Sequence, residues 1–412
     1  MVYYKRFDNG LRLIVNKIEG LMSVSFGVMV KTGSVNETEK NNGISHFIEH
    51  TVFKGTDKRS AFEISDHIDR IGAQINAFTS KEITCFYTKS TAEHFEESAE
   101  IVSDLFFNAR FDEEELKKEK GVIIEEINMS EDTPEDLCLD LLAESCFGNK
   151  GLGRPILGSA KNVKSFKKAD VLKYMDEYYT ADNVVISVAG AIDEKKAEEV
   201  AQKYFAENFK RLKAKKAYTE KDESFLNLYK TKKIEQSHIA LAYKTFSVKD
   251  ERAVSLSVAN AVLGGGMSSR LFQKIREEMG LCYTLYSYPS LYENDGVLEI
   301  YGGVNTDARD KAFSAILSEV KNFVVEGISD AEFSRAKEQI KSSFIMGRES
   351  TASQMLLYGK HLLFMNEVFD FNKELNEIDS LKKEQVNAVI KLLDTEKFAT
   401  ATVGPMKKPL KI

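Results

Sequence analysis

Six histidines are spread through 412 residues, and two of them stand four apart with a glutamate between: His46-Phe47-Ile48-Glu49-His50. On a helix, residues i, i+3 and i+4 share a face, so His46, Glu49 and His50 fall within about 100° of the circumference. Ile44, Phe47, Ile48 and Val52 occupy the other side. Such a helix packs one face into a core and offers two imidazoles and a carboxylate on the other. That set suits a divalent metal held by both imidazoles, with Glu49 beside a metal-activated water as general base. The pattern HxxEH is the reversal of the HExxH metallopeptidase motif. A solvated helix face that carries two histidines is the plainer alternative, and five residues alone do not separate the two.

A catalytic zinc keeps three protein ligands and one open position. The segment Glu113–Met129 offers candidates for the third. Its periodicity predicts a helix with Leu116, Ile123 and Ile127 as the buried stripe. Glu119 and Glu126, seven apart, lie about 20° from each other at the edge of that stripe, whereas Glu125 points away from it. Carboxylates beside a buried stripe are costly unless something pairs with them. Glu126 is therefore expected as third ligand, Glu119 as its supporting neighbour, and Glu125 in solvent. A partly exposed acidic helix is the alternative here.

The elements that would position these groups occur twice in the same order. In the first half a strand over Ser23–Val30 leads to a helix over Ile44–Phe53. A strand over Thr84–Ser90 follows, then a helix over Ala92–Asn108 and another opening at Asp112. In the second half, strand His238–Phe246 precedes helix Ala253–Leu263. A hairpin over Cys282–Tyr292 and Val297–Val304 comes next, then helices Asp307–Glu326 and Ser329–Met346. The offset is about 215 residues, which predicts an internal duplication. The expected fold is α+β: two similar α/β-sandwich domains, each a mostly antiparallel sheet covered by helices. Residues 1–210 would form the metal-binding domain, the Lys/Arg-rich stretch 211–232 a linker, and 233–412 the second domain. Shifted by the repeat, His46, His50 and Glu126 land near Ala261, Gly265 and Ser343, so the metal site belongs to the first domain alone.

Composition narrows the remaining classes. A net charge of −7 gives no basic excess for nucleic acid. The apolar run Leu21–Val30 is about half of what a membrane helix needs, and Arg12 interrupts any signal-like start. With four cysteines and no CxxC pair, reduced thiols in the cytoplasm are the simplest expectation. Gly264-Gly265-Gly266 fits no phosphate-loop pattern. His67, His94, His238 and His361 have no partner at ligand spacing and read as surface or packing residues. Cys85 and Cys282 flank informative segments, but no Cys–His nucleophile is suggested.

GISHFIEHTVFKGT (Gly43–Thr56) resembles the metal helix of the pitrilysin, insulin-degrading enzyme and mitochondrial processing peptidase group of zinc peptidases. Glu126, 76 positions beyond His50, stands where that family has its third ligand, and Glu119 matches its assisting glutamate. The resemblance extends through DNGLRLIV (Asp8–Val15), GAQINAFTSKEITCFY (Gly72–Tyr87), GLGRPILGSAKNV (Gly151–Val163) and LGGGMSSRLFQKIREEMGLCYT (Leu263–Thr284).

The resemblance implies a zinc endopeptidase with one Zn2+ per chain, acting on unfolded or presequence-like peptides. The length is similar to the short members that pair into a hollow chamber, which implies a homodimer with active sites completed in trans. Arg276 and Tyr283 occupy the positions of a family pair that contacts substrate and its developing oxyanion. The segment Gly72–Thr79 resembles the substrate-edge strand, so Ala73, Asn76 and Ala77 would bind substrate by strand addition. Asn76 reads equally as a turn-capping asparagine. A non-catalytic core or scaffold subunit of the same fold is the alternative.

Overall fold

The computed structural model describes residues 2–209, 218 and 224–410. Its strands are β1 (Val2–Arg6), β2 (Arg12–Lys17), β3 (Ser23–Val30), β4 (Gln74–Thr79), β5 (Thr84–Thr91), β6 (Val184–Gly190), β7 (Asn227–Thr231), β8 (Gln236–Lys244), β9 (Cys282–Leu291), β10 (Gly296–Asn305) and β11 (Ala399–Gly404). They form a six-stranded sheet in the order β1-β2-β6-β3-β5-β4 and a five-stranded sheet in the order β7-β11-β8-β10-β9. Leaving out β1, the two orders are the same. In each, the one parallel pair, β2 with β6 and β7 with β11, sits at the same place. From Arg12 to Asn227 and from Val184 to Ala399 is 215 positions, the offset read from the sequence.

Two compact units result, and neither is continuous in sequence. The first comprises 1–127, 155–218 and 346–369, and the second 128–154, 219–345 and 370–412. Contiguous halves at 1–210 and 233–412 therefore differ from this grouping in two segments. Of the expected linker 211–232, residues 211–217 and 219–223 lie outside the described residues. Its last part, Asn227–Thr231, is strand β7, paired in parallel with β11.

The exchanged segments follow from the strands they cover. Val24, Phe26, Val28 and Val30 of β3 point into the main core of the first unit, beside Phe47, Phe95 and Ile186. The opposite face carries Ser25, Gly27 and Met29, and there the helix Thr351–Met365 packs on β3 and β6. Small residues permit the close approach. Ser25 Oγ meets Thr351 Oγ1 at 2.9 Å, and Ser187 Oγ donates to the Met355 carbonyl at 2.7 Å. A Cβ on Gly27 would stand 2.4 Å from Met355 Sδ. Covered on both sides, β6 is buried throughout, as parallel strands are. In the second unit, the helix Pro134–Phe147 covers β8 and β11 in the same way. The other face of that sheet holds the second core, around Leu241, Leu298, Ile300 and Phe313.

Candidate metal centre

The helix Ile44–Thr51 begins at Gly43, whose φ of 98° lies in the left-handed region. A Cβ there would also stand 2.7 Å from the Leu157 carbonyl oxygen, so only glycine fits. The buried carboxylate of Glu37 receives the first amides of this helix, from Gly43 N at 2.7 Å and Ser45 N at 2.9 Å, together with Asn42 Nδ2 at 2.8 Å. Burial raises the Glu37 pKa, against the lowering effect of these hydrogen bonds. Ser45 Oγ donates to Tyr174 Oη at 3.0 Å. Ile44, Phe47 and Ile48 fill the core, Phe47 against the Phe166 ring. Buried on one side and capped at its start, the helix has one orientation for its polar face.

That face carries His46 and His50, whose ring centroids are 4.5 Å apart. Glu126 reaches them from the helix Glu113–Asp132, with Oε2 3.5 Å from His46 Nε2 and 3.3 Å from His50 Nε2. Tetrahedral ligand atoms, each about 2.0–2.2 Å from a common zinc ion, stand about 3.3–3.6 Å apart, so these spacings fit one ion. Glu126 Oε2 is buried without a hydrogen-bond partner. Two imidazoles and a carboxylate form a donor set typical of catalytic zinc. Among the described residues this is the one group of three such side chains whose donor atoms converge.

Glu119, 4% exposed, lies behind the group. Its Oε1 is 2.9 Å from His50 Nδ1 and its Oε2 2.8 Å from Lys54 Nζ. Burial alone would lower the His50 pKa, but the bond to Glu119 and the charges of Glu126, Glu119 and Glu49 raise it. The Glu119 pKa is lowered: burial works to raise it, and His50 and Lys54 outweigh burial. A Nδ1–H donated to Glu119 leaves the His50 Nε2 lone pair facing Glu126, the tautomer a metal requires. The neighbouring His46, 3.5 Å away, lowers the Glu126 pKa. Glu49 keeps one buried oxygen, Oε2, without a hydrogen-bond partner.

The other expected residues divide between the units. Strand β4 is one of the two edge strands of the first sheet, and the helix Ile44–Thr51 packs against it. Asn76 is exposed on β4, and its Oδ1 accepts the Ala77 N–H at 2.8 Å. Ala73 precedes the strand and is buried with Ile64, Ile68 and Leu105, so its side chain is not offered at the edge. Arg276 and Tyr283 belong to the second unit. The Arg276 guanidinium lies 4.7 Å from the centroid of the Tyr283 ring, which is 75% exposed on edge strand β9. Ala261 lies on the helix Ala253–Leu263 of that unit, and Ser343 on Asp330–Met346.

Two groups escaped the sequence reading. Lys54 follows His50 by four, on the short 3-10 turn Val52–Lys54 that extends its helix, a spacing visible in the sequence. Glu37 lies outside the helix it caps, and only the folded loop brings it there. The remaining histidines pack or pair elsewhere. His67 and His94 lie near Glu97, His238 bonds Tyr301, and His361 stacks edge-on against Phe369. Burial pushes the Cys85, Cys138 and Cys146 thiols up, away from nucleophilic use.

Two family models match the chain: "Insulinase (Peptidase family M16)" over residues 13–160 and "Peptidase M16 inactive domain" over 165–340. An uncharacterized zinc protease of Bacillus subtilis is 43% identical over 399 residues, which cover 97% of each chain. One of Streptomyces coelicolor is 33% identical over 97% of this chain and 88% of its own. Among solved structures, a protease from Helicobacter pylori superposes with a TM-score of 0.91 at 23% identity, over 98% of this chain and 99% of its own. A protein from Pseudomonas fluorescens titled as an M16 peptidase inactive domain gives 0.92 at 19%, over the whole of both.

Proposed function

Because the chain belongs to the insulinase family of peptidases, family M16, we propose that it is a zinc-dependent endopeptidase. It would hold one Zn2+ per chain through His46, His50 and Glu126. The observation that carries this reading is the convergence of those three donors beside Glu49, which has a buried carboxylate oxygen free.

Zinc bound there would supply Lewis-acid activation of a water molecule and of the scissile carbonyl. Glu49 Oε2 would take the proton of that water and then hand it to the leaving amine. Glu119 would hold His50 in its metal-binding tautomer, with Lys54 fixing Glu119 in turn. The free edge of β4 would take an extended peptide as an added strand, where main-chain bonds give affinity with little side-chain choice. That suits unfolded or presequence-like substrates. On binding, a peptide carbonyl would compete with Asn76 Oδ1 for the Ala77 N–H. Arg276, stacked on Tyr283, would present the phenol to the oxyanion. In a homodimeric chamber each pair would serve the metal centre of the partner copy.

The test is metal content and hydrolysis of a fluorogenic peptide on one purified sample. About one zinc per chain is expected, with cleavage lost on chelation and restored by zinc. Glu49→Gln should keep the zinc and lose about 10²–10⁴-fold in rate. Zinc bound by the wild type without hydrolysis of a mixed peptide pool would instead favour a peptide-binding scaffold of the same fold.

A further inference from the structure

Strand β4 pairs with β5 so that Asn76 stands opposite Tyr87 and Phe78 opposite Cys85. Cys85 stands in turn opposite Met29 of β3. Asn76, Phe78, Cys85 and Tyr87 therefore share the sheet face on which the helix Thr351–Met365 packs. Phe78 and Tyr87 meet edge to face at 6.3 Å. Lys360, on that helix, holds its ammonium 5.7 Å from the centroid of the Phe78 ring. The residue is exposed and forms no ion pair among the described residues. Burial raises the pKa of the Cys85 thiol, the Lys360 charge lowers it and the Glu49 charge raises it. The cation and the proposed general base thus lie within electrostatic reach of one position on β5.

We propose that Lys360 selects an acidic side chain at one position of a peptide added to β4. This rests on the strand addition of the peptidase reading above, and it narrows the substrates that reading allows. An added strand would lie about 4.8 Å beyond β4 and turn alternate side chains to each face. The residue opposite Phe78 would come within about 5 Å of it, Cβ to Cβ, beside the ammonium held over the ring. A carboxylate there gains a cation that has no other acid to pair with. A lysine or arginine, as in a basic presequence, meets a like charge at that position. The Phe78 ring keeps the lysine head beside the strand through a cation–π contact, so the selection uses a cation already in place.

The test uses fluorogenic peptides that carry Glu, Gln or Lys at each successive position around one cleavage site. At one position the wild type should favour Glu over Lys by about 3–10-fold in kcat/KM, and added salt should shrink that ratio. Lys360→Glu should reverse the preference at that position alone, and Lys360→Met should erase it. Loss of packing gives no such reversal. Fluorescence anisotropy of the same peptides on zinc-loaded Glu49→Gln reads binding without hydrolysis and should show the same order. Binding with this preference but no cleavage by the wild type would fail the peptidase reading and keep the subsite. Cleavage with the same Glu-to-Lys ratio at every position in wild type and Lys360→Glu would overturn the subsite and keep the peptidase. Neither binding nor cleavage would overturn both.

Discussion

Glu119 Oε1 stands 2.9 Å from His50 Nδ1, so a carboxylate 69 positions away in sequence fixes which ring nitrogen of His50 faces Glu126. Loss of such a support commonly costs 10–100-fold in metal affinity. Glu119→Ala is therefore expected to weaken zinc binding by about that factor. Lys54→Met, which removes the cation on the other carboxylate oxygen, should have a smaller effect in the same direction. Competition against a calibrated zinc chelator measures both, and unchanged affinity in Glu119→Ala would remove this residue from the site.

Glu37 accepts the amides that start the helix of His46 and His50, and both donors are buried with it. Glu37→Ala leaves them unpaired, at about 1–3 kcal/mol for each orphaned group. The thermal transition should fall by several degrees, and zinc affinity should fall with it because the helix start loosens. Glu37→Gln keeps an acceptor oxygen and should recover much of both. If Glu37→Ala melts and binds zinc like the wild type, the capping role is wrong.

Tyr283 is exposed at the edge strand β9, and its ring rests on Arg276. Deletion of one oxyanion donor typically costs about 10²–10³ in kcat. Tyr283→Phe should approach that loss with zinc content and thermal stability unchanged, since the phenol contributes nothing to a core. Mixing Glu49→Gln with Tyr283→Phe should restore up to about a quarter of wild-type activity if sites are completed in trans, because mixed dimers then hold one intact site. No recovery after subunit exchange would place both residues in the same chain's site.

A pH effect is expected in the second unit. Arg270 grips Glu332 with Nε at 2.6 Å and Nη2 at 2.9 Å, and the pair holds the Glu332 pKa down at about 2. A carboxylate with a depressed folded pKa binds its proton less readily when folded. Its stabilisation is complete above the unfolded value and disappears as pH falls toward about 2. Arg270→Met should flatten the acid limb of the stability profile between about pH 4.5 and 2, with little change in slope near neutrality. Urea midpoints of both proteins across that range give the comparison.

Much of this protein is written in local spacing. The i, i+3, i+4 set of His46, Glu49 and His50 lies on one helical face wherever that helix packs, and Glu119 and Glu126 share a face for the same reason. Alternation along Ser23–Val30 marked a strand with one apolar face, and the 215-residue offset between the halves reappears in matched sheet orders. Each of these patterns is set by the backbone's own period, so neighbours in sequence suffice to show it.

What depends on distant chain came only with the fold. The sequence places Ser25 and Gly27 on the back of β3 but says nothing of what covers them. That covering is Thr351–Met365, from the other half of the chain, fitted where small residues leave room. Nor does spacing show that Glu37 caps the helix of His46 and His50, that Ala73 turns inward, or that Asn76 Oδ1 takes the Ala77 amide. Those outcomes follow from close packing and from the need of buried polar groups for partners, which are settled by the whole structure at once rather than by any single segment.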